Sequence, residues 1–328
     1  MIRPAVTFFT SFFMLLISSS FSFAAESGPL LTIPEDELAA AAWCDPSVAP
    51  GSNKQTVLLI HGTGSTPDES WGWGYQNALP KDGFAVCTVT LPERAVGDIS
   101  ISVQYAVYAA RYAFEKSGHK IALIGHSQGG FIAVWIAKFW PDIAKKTTDV
   151  ISLAGPVQGT RMANTICTIG SCTPLTWQLA IGSEYTAALV NKPLPEGPAF
   201  TSIGSRFDGV VFPQPLASAL PGAANIMVQK ICPLRAVEHG LLLIDAVAYQ
   251  LVLDALRHKD GARVSRLATS VCEHRALPGA DLKAATRFMP TLTGVAVGLT
   301  DVKLFVPKEP PLPDYAEPFG NPGYRAQN

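Results

Sequence analysis

Residues 121–130 read Ile121-Ala122-Leu123-Ile124-Gly125-His126-Ser127-Gln128-Gly129-Gly130, and a second apolar run, Phe131 to Phe139, follows at helical spacing. Four apolar residues, a Gly-flanked serine and an apolar helix read as buried strand, sharp turn, helix. In a G-x-S-x-G turn the serine takes a strained backbone conformation. Glycines two residues to either side let helix and strand close up, so the hydroxyl stands above the sheet edge. The five-residue pattern alone is a weak signal. The strand before it and the helix after it supply the context it requires, and they weigh against an ordinary Gly-rich turn.

Upstream, Thr56 to Ile60 is a short continuous apolar run, the signature of a strand buried on both faces, and it leads into His61-Gly62-Thr63-Gly64-Ser65. A short helix over Trp71–Leu79, a strand over Phe84–Thr90 and a helix over Ser102–Lys116 precede the strand at Ile121. Another strand, Thr148–Leu153, follows the apolar helix. The resulting order β, α, β, α, β, α, β predicts an α/β fold with one doubly wound, mostly parallel sheet and right-handed crossovers. Residues 155–198 interrupt that rhythm with a cysteine-bounded loop and an amphipathic segment, Leu175–Val190, suited to covering a pocket.

Phe200–Ser205 resumes the sheet and stops at Arg206-Phe207-Asp208-Gly209, and Asn225–Ile231 reads as the last strand. Leu241–Leu256 and Leu282–Leu299 read as apolar helices, and the Pro-rich tail from Pro307 as extended chain. Residues 25–51, broken by Pro34, Pro46 and Pro50, read as an irregular lead-in. No repeat or hinge-like linker divides residues 25–328, which read as one domain with its cover at about 155–198 and a C-terminal helix and tail at 282–328.

Only 16% of the 328 residues are charged against roughly 25% in an average soluble domain, which predicts a large core and a rather apolar surface. The net charge of −1 gives no electrostatic case for nucleic acid or an anionic membrane. Arg3, the apolar stretch from Ala5 to Ile17 and the small residues of Ser22-Phe23-Ala24 predict a signal peptide over residues 1–24, cleaved after Ala24, and a secreted or periplasmic product. A membrane anchor is the alternative, but the run is short and is broken by Thr7, Thr10 and Ser11. Six cysteines in an exported chain predict three disulfides, with Cys167 and Cys172 close enough to clip one local loop. No Cys or His cluster has zinc spacing, so no metal is expected.

A serine nucleophile needs a base to take its proton and an acid to orient that base, in this fold class in the order serine, acid, histidine. His239 and His258 lie past the later strands, with His274 further out. His258 sits in a charged helix end, whereas His239 follows a strand beside Gly240. Of Asp142, Asp149, Glu184, Glu196, Asp208 and Glu238, only Asp208 closes a strand at a Gly-flanked turn, where backbone donors can hold a carboxylate. The backbone N–H of Gln128 and the amide and hydroxyl of Thr63 are then the expected oxyanion donors. A phosphate loop at Gly62–Gly64 would need a lysine and glycine spacing that this chain lacks.

Gly62-Thr63-Gly64 after its strand, Ser127-Gln128-Gly129-Gly130, Trp177-Gln178 with Gly182-Ser183, Asp208 followed by Pro213-Gln214, and Glu238-His239 together resemble the Candida antarctica lipase B family, from about Thr56 to Pro318. The resemblance implies an α/β-hydrolase fold with Ser127 as nucleophile, Asp208 as acid, His239 as base, and Thr63 with Gln128 as oxyanion hole. It implies hydrolysis of carboxylic esters, triacylglycerols included, through an acyl-enzyme and without a cofactor. It also implies the pairs Cys44–Cys87 and Cys232–Cys272.

The chain departs from that family at Gly125-His126, where the lipase carries Thr-Trp and uses the tryptophan to floor its alcohol pocket. His126 is therefore expected to line the substrate pocket, a packed turn residue being the alternative. The Cys167–Cys172 clip falls in the segment resembling the lipase's mobile cover, and the family's C-terminal disulfide has no counterpart. The expectation is a monomeric enzyme acting on ester or lipid substrates with transient contact to a lipid–water interface. The alternatives are an esterase for soluble or polymeric esters and, further off, a non-catalytic binding protein on the same scaffold.

Overall fold

The structure, a computed structural model, describes residues 27–283, 291, 295 and 298–321. The leader read over residues 1–24 and most of the helix read over 282–299 lie outside the described residues.

In chain order the strands are β1 (Ala42–Cys44), β2 (Thr56–Ile60), β3 (Ala85–Val89), β4 (Ile121–His126), β5 (Thr147–Leu153), β6 (Ala199–Gly204) and β7 (Ala224–Met227). The helices are α1 (Glu35–Ala41), α2 (Pro67–Trp71), α3 (Tyr75–Ala78), α4 (Ile99–Ser117), α5 (Gln128–Phe139), α6 (Pro141–Lys146), α7 (Arg161–Cys167), α8 (Pro174–Gln178), α9 (Glu184–Asn191) and α10 (Ala246–Arg257). The strands form one sheet in the order β1-β3-β2-β4-β5-β6-β7, parallel except for β1.

Alternation along the buried strands explains the layers. Leu58, Ile60 and Leu123 point into the core shared with α4 and α5, while Val57, Leu59 and Ile124 point into the core shared with α3 and α10. The chain runs outward from β2 to β3, then returns to β4 on the other side of β2. That reversal opens a crevice at the carboxyl ends of β2 and β4, where α/β sheets bind ligands.

Helix α5 is buried on every side, consistent with its nearly unbroken apolar sequence. Its outer face is roofed by α9 and the C-terminal tail: Trp135 stacks on Tyr185 at 5.3 Å, and Phe139 packs edge-on against Tyr315 at 5.6 Å. Lys138, the helix's single charged residue, donates from Nζ to the carbonyl of Leu189 at 2.6 Å, and burial pushes its ammonium down to about 8.

Several local readings need correction. The lead-in is not irregular throughout: α1 buries Leu38, and β1 pairs with β3 so that Cys44 faces Cys87 in register. Both elements are too short to show a period, and the ladder and the disulfide define them. The helix expected over Trp71–Leu79 breaks into α2, α3 and a 3₁₀ turn around Gly72 and Gly74. The helix expected from Leu241 begins at Ala246, because the Asp245 carboxylate accepts the N–H groups of Val247 and Ala248, leaving 239–243 as a 3₁₀ turn.

Three disulfides join Cys44 to Cys87, Cys167 to Cys172 and Cys232 to Cys272. These are the pairs the resemblance implies and the local clip read from spacing. The clipped loop is also tied to the tail: Cys172 and Val306 exchange backbone hydrogen bonds, and Trp177 Nε1 donates to the Val306 carbonyl at 3.0 Å.

Candidate active site

Ser127 stands between β4 and α5 with φ 56° and ψ −128°, a left-handed conformation costing a non-glycine residue about 1–3 kcal/mol. Its neighbours hold it there. The Ser127 N–H donates to the Leu153 carbonyl at the end of β5, and the Ser127 carbonyl accepts from Gly130. The turn closes so tightly that a Cβ on Gly125 would stand 2.0 Å from the Gly129 carbonyl oxygen, and one on Gly129 would stand 2.2 Å from that of Ile60. Both glycines are steric requirements of the elbow.

Asp208 lies in the turn after β6 and is buried. Its Oδ1 accepts the N–H groups of Val210 and Val211 at 2.9 and 2.8 Å, and its Oδ2 faces His239 Nδ1 at 2.8 Å. With the carboxylate ionised, Nδ1 carries the proton and Nε2 keeps its lone pair, the tautomer a base needs. No hydrogen bond joins Ser127 Oγ to His239 Nε2 in this structure, and such contacts commonly tighten only around substrate. His258 turns its Nδ1 to the Asp254 carbonyl at the far end of α10.

The loop after β2 is held at three points. His61 is fully buried; its Nε2 accepts the Leu91 N–H at 2.9 Å, so Nδ1 carries the proton and donates to the Gly62 carbonyl at 2.9 Å. Burial pushes this imidazole down to about 4, so it stays neutral. Arg94 grips the Gly64 carbonyl from Nε and Nη2 at 3.0 and 2.5 Å and is itself clamped by both oxygens of Glu69. Gly64 has φ +71°, and a Cβ there would come within 2.4 Å of the Val295 backbone nitrogen, so the position demands glycine twice over.

Between these holds, Thr63 turns its hydroxyl to Gln128 Oε1 at 2.9 Å. That hydroxyl, expected to face an oxyanion, is engaged here, leaving the Thr63 and Gln128 backbone amides as the ready donors. Gln128 Nε2 is buried without a partner. Rotating the amide by half a turn would let Nε2 donate to Thr63 Oγ1 and release the hydroxyl proton, relieving the orphaned donor.

Ser127, Thr63 and His239 line one cavity of about 550 Å³. Its outer wall comes from the cover: Met162, Ala163 and Ile166 of α7, with Leu175 and Leu179 around α8. Val210 and Val211 extend the apolar surface. His126 lines the cavity as well. It is buried, its Nε2 lies 3.1 Å from the His239 carbonyl, and its ring sits 4.8 Å from that of His239.

Sequence reasoning missed the supports behind these groups. Gln229, just past β7, accepts the Arg206 N–H and donates to Ser205 Oγ and the Arg235 carbonyl, while Ser205 Oγ donates to the Val237 carbonyl. One amide therefore ties the Asp208 turn to the His239 loop. A glutamine inside an apparent strand and an arginine in an irregular loop carry no local signal of such a role. His61 had one, its place directly before the glycine loop. Among the described residues no cluster of His, Cys, Asp and Glu could hold a metal ion.

An alpha/beta hydrolase family model matches residues 57–318. Lipase B of Pseudozyma antarctica is 29% identical over 311 residues, covering 89% of this chain and 88% of the relative. The crystal structure of Aspergillus fumigatus lipase B superposes with a TM-score of 0.76 at 24% identity, covering 88% of this chain and 73% of that one.

Proposed function

The chain belongs to the alpha/beta hydrolase family, and on that premise we propose that it is an exported lipase/esterase-type hydrolase cleaving carboxylic esters through Ser127, His239 and Asp208. The observation that carries the reading is the buried 2.8 Å contact between His239 Nδ1 and Asp208 Oδ2, beside a cavity shared with the strained Ser127. His239 Nε2 takes the Ser127 proton as Oγ attacks the ester carbonyl. The backbone amides of Thr63 and Gln128 stabilise the oxyanion, and His239 then protonates the leaving alcohol. Water repeats the sequence on the acyl-enzyme and releases the acid. No step calls for a cofactor, and the chain acts as a monomer. Its three disulfides agree with an oxidising destination.

The test is Ser127→Ala on p-nitrophenyl esters, with fluorophosphonate labelling of the parent protein. Loss of both turnover and label in the variant is expected; full activity in Ser127→Ala would remove the assignment.

A second reading, hydrolysis of soluble esters without interfacial preference, is favoured by the stapling of the cover through Cys167–Cys172 and its ties to Val306. Rates on emulsified triglyceride and on a water-soluble butyrate separate the two. A jump at the emulsion interface supports the lipase, and its absence supports the esterase.

A further inference from the structure

The cavity has two chemically different sides. The cover and the Val210–Val211 wall are apolar, whereas the floor beneath His239 contains Ser65, Ser70 and His126. The proton on the His126 ring follows from its partner. A carbonyl only accepts, so His126 Nε2, 3.1 Å from the His239 carbonyl, carries the ring's proton. Burial and the neighbouring His239 push this imidazole down to about 3, so the ring is neutral and Nδ1 is a bare acceptor. That atom lies on the Gly62 side, 3.5 Å from where a Cβ of that glycine would sit. No hydrogen bond among the described residues engages it.

Ser65 Oγ donates to the Gly62 carbonyl at 2.9 Å and lies 2.8 Å from Ser70 Oγ. With the Ser65 proton on Gly62, Ser70 gives its own proton to Ser65. In either assignment Ser70 keeps an acceptor lone pair. Trp71, edge-on to His126 with ring centroids 6.5 Å apart, packs the ring from behind. The floor thus offers acceptors, and its complement is a donor.

Which half of an ester meets this floor follows from the chemistry. The leaving oxygen must reach His239 to be protonated, so the alcohol moiety lies on the His239 side. His126 is the ring packed on His239, and the apolar wall remains for the acyl chain.

We propose that this floor is a hydroxyl-recognising subsite: His126 Nδ1 and Ser70 Oγ each accept a hydrogen bond from one of the free hydroxyls of the alcohol moiety, making partial esters of polyols the preferred substrates. The proposal rests on the Ser127–His239–Asp208 reading. A site built around hydrogen bonds to a substrate hydroxyl rejects the analogue lacking it far more strongly than a merely apolar pocket rejects a change of size.

The experiment compares kcat/KM for glycerol monobutyrate and n-propyl butyrate, which share an acyl group and differ by two hydroxyls. The wild type is expected to favour the glycerol ester by at least ~10-fold. The ratio should fall toward one in His126→Phe and part of the way in Ser70→Ala. Because each ratio is taken within one variant, a general loss of activity cancels. If His126→Phe does not fold, Ser70→Ala carries the comparison. A wild-type ratio near one, or a ratio preserved in the variants, overturns the subsite and leaves the triad standing. Cleavage of neither ester by the wild type overturns both.

Discussion

The Thr63 hydroxyl and the Gln128 side-chain amide meet at 2.9 Å, joining the loop after β2 to the first residue of α5. The two residues expected to supply the oxyanion donors are therefore coupled through their side chains as well as placed by their backbones.

Thr63→Val should lower kcat by about 10²-fold if the hydroxyl swings to the oxyanion during reaction. Gln128→Leu, which keeps its backbone amide, should lower kcat by less. The double variant should lose less than the sum of the two free energies, because both changes remove one linkage. Steady-state kinetics of the four proteins on one soluble ester measure the coupling; strict additivity would mean that the hydroxyl acts alone or not at all.

Arg94 holds the Gly64 carbonyl from two nitrogens. Arg94→Gln should lower kcat about tenfold with little change in KM, since the oxyanion loop loses its register while the acyl wall is untouched. Gly64→Ala should be worse, because the new methyl meets both a positive φ and the Val295 backbone. A pure KM effect in Arg94→Gln would count against the positioning role.

Gln229→Leu removes the amide joining the Asp208 turn to the His239 loop and leaves Ser205 and Arg206 short of partners. The expected result is a kcat drop of ~10-fold together with a loss of stability of about 1–3 kcal/mol. Gln229→Glu, which keeps the acceptor for the Arg206 N–H, should retain more of both. Denaturant melts paired with kinetics test this, and equal behaviour of the two variants would argue against the amide's bridging part.

Asp149 lies in β5 at the end of the sheet opposite Ser127, buried, with Oδ1 unpartnered. Burial raises its carboxyl from the ordinary 3.8 to about 6, hydrogen bonds from Thr148 and Gln55 offsetting part of the rise. The folded state thus holds this proton more tightly than the unfolded chain. Stability from this group is present below about pH 4 and is lost as pH rises through 6, by on the order of 3 kcal/mol. Asp149→Asn should raise Tm by a few degrees at pH 8 and leave it nearly unchanged at pH 4. An equal shift at both values would assign the effect to packing rather than charge.

The elbow was legible because its requirements are local: two glycines at fixed offsets, a buried strand before and a helix after. Asp208 was singled out by the end of β6 that it follows and His239 by its place later in the chain, and the structure brings the two together at 2.8 Å. Other features lacked such a signal. Strand β1 is three residues long and exists through its partner β3. Arg94 and Gln229 act across folds of chain that no window of sequence spans, 30 residues to Gly64 for the one and 23 to Arg206 for the other. The Thr63 hydroxyl engages Gln128 through a side-chain rotation that composition does not encode.

Lys138 is the penultimate residue of α5. The helix that carries Ser127 at its start holds the Leu189 carbonyl near its finish, so the roof over the protein's hydrophobic spine is fastened to the element that presents the nucleophile. A change that loosens this fastening is expected to reach the serine turn through α5, and one that tightens it for heat resistance to do the same. Durability and turnover are thereby harnessed together, whereas Met162 and Ile166 line the cavity itself and take no part in the Lys138 linkage.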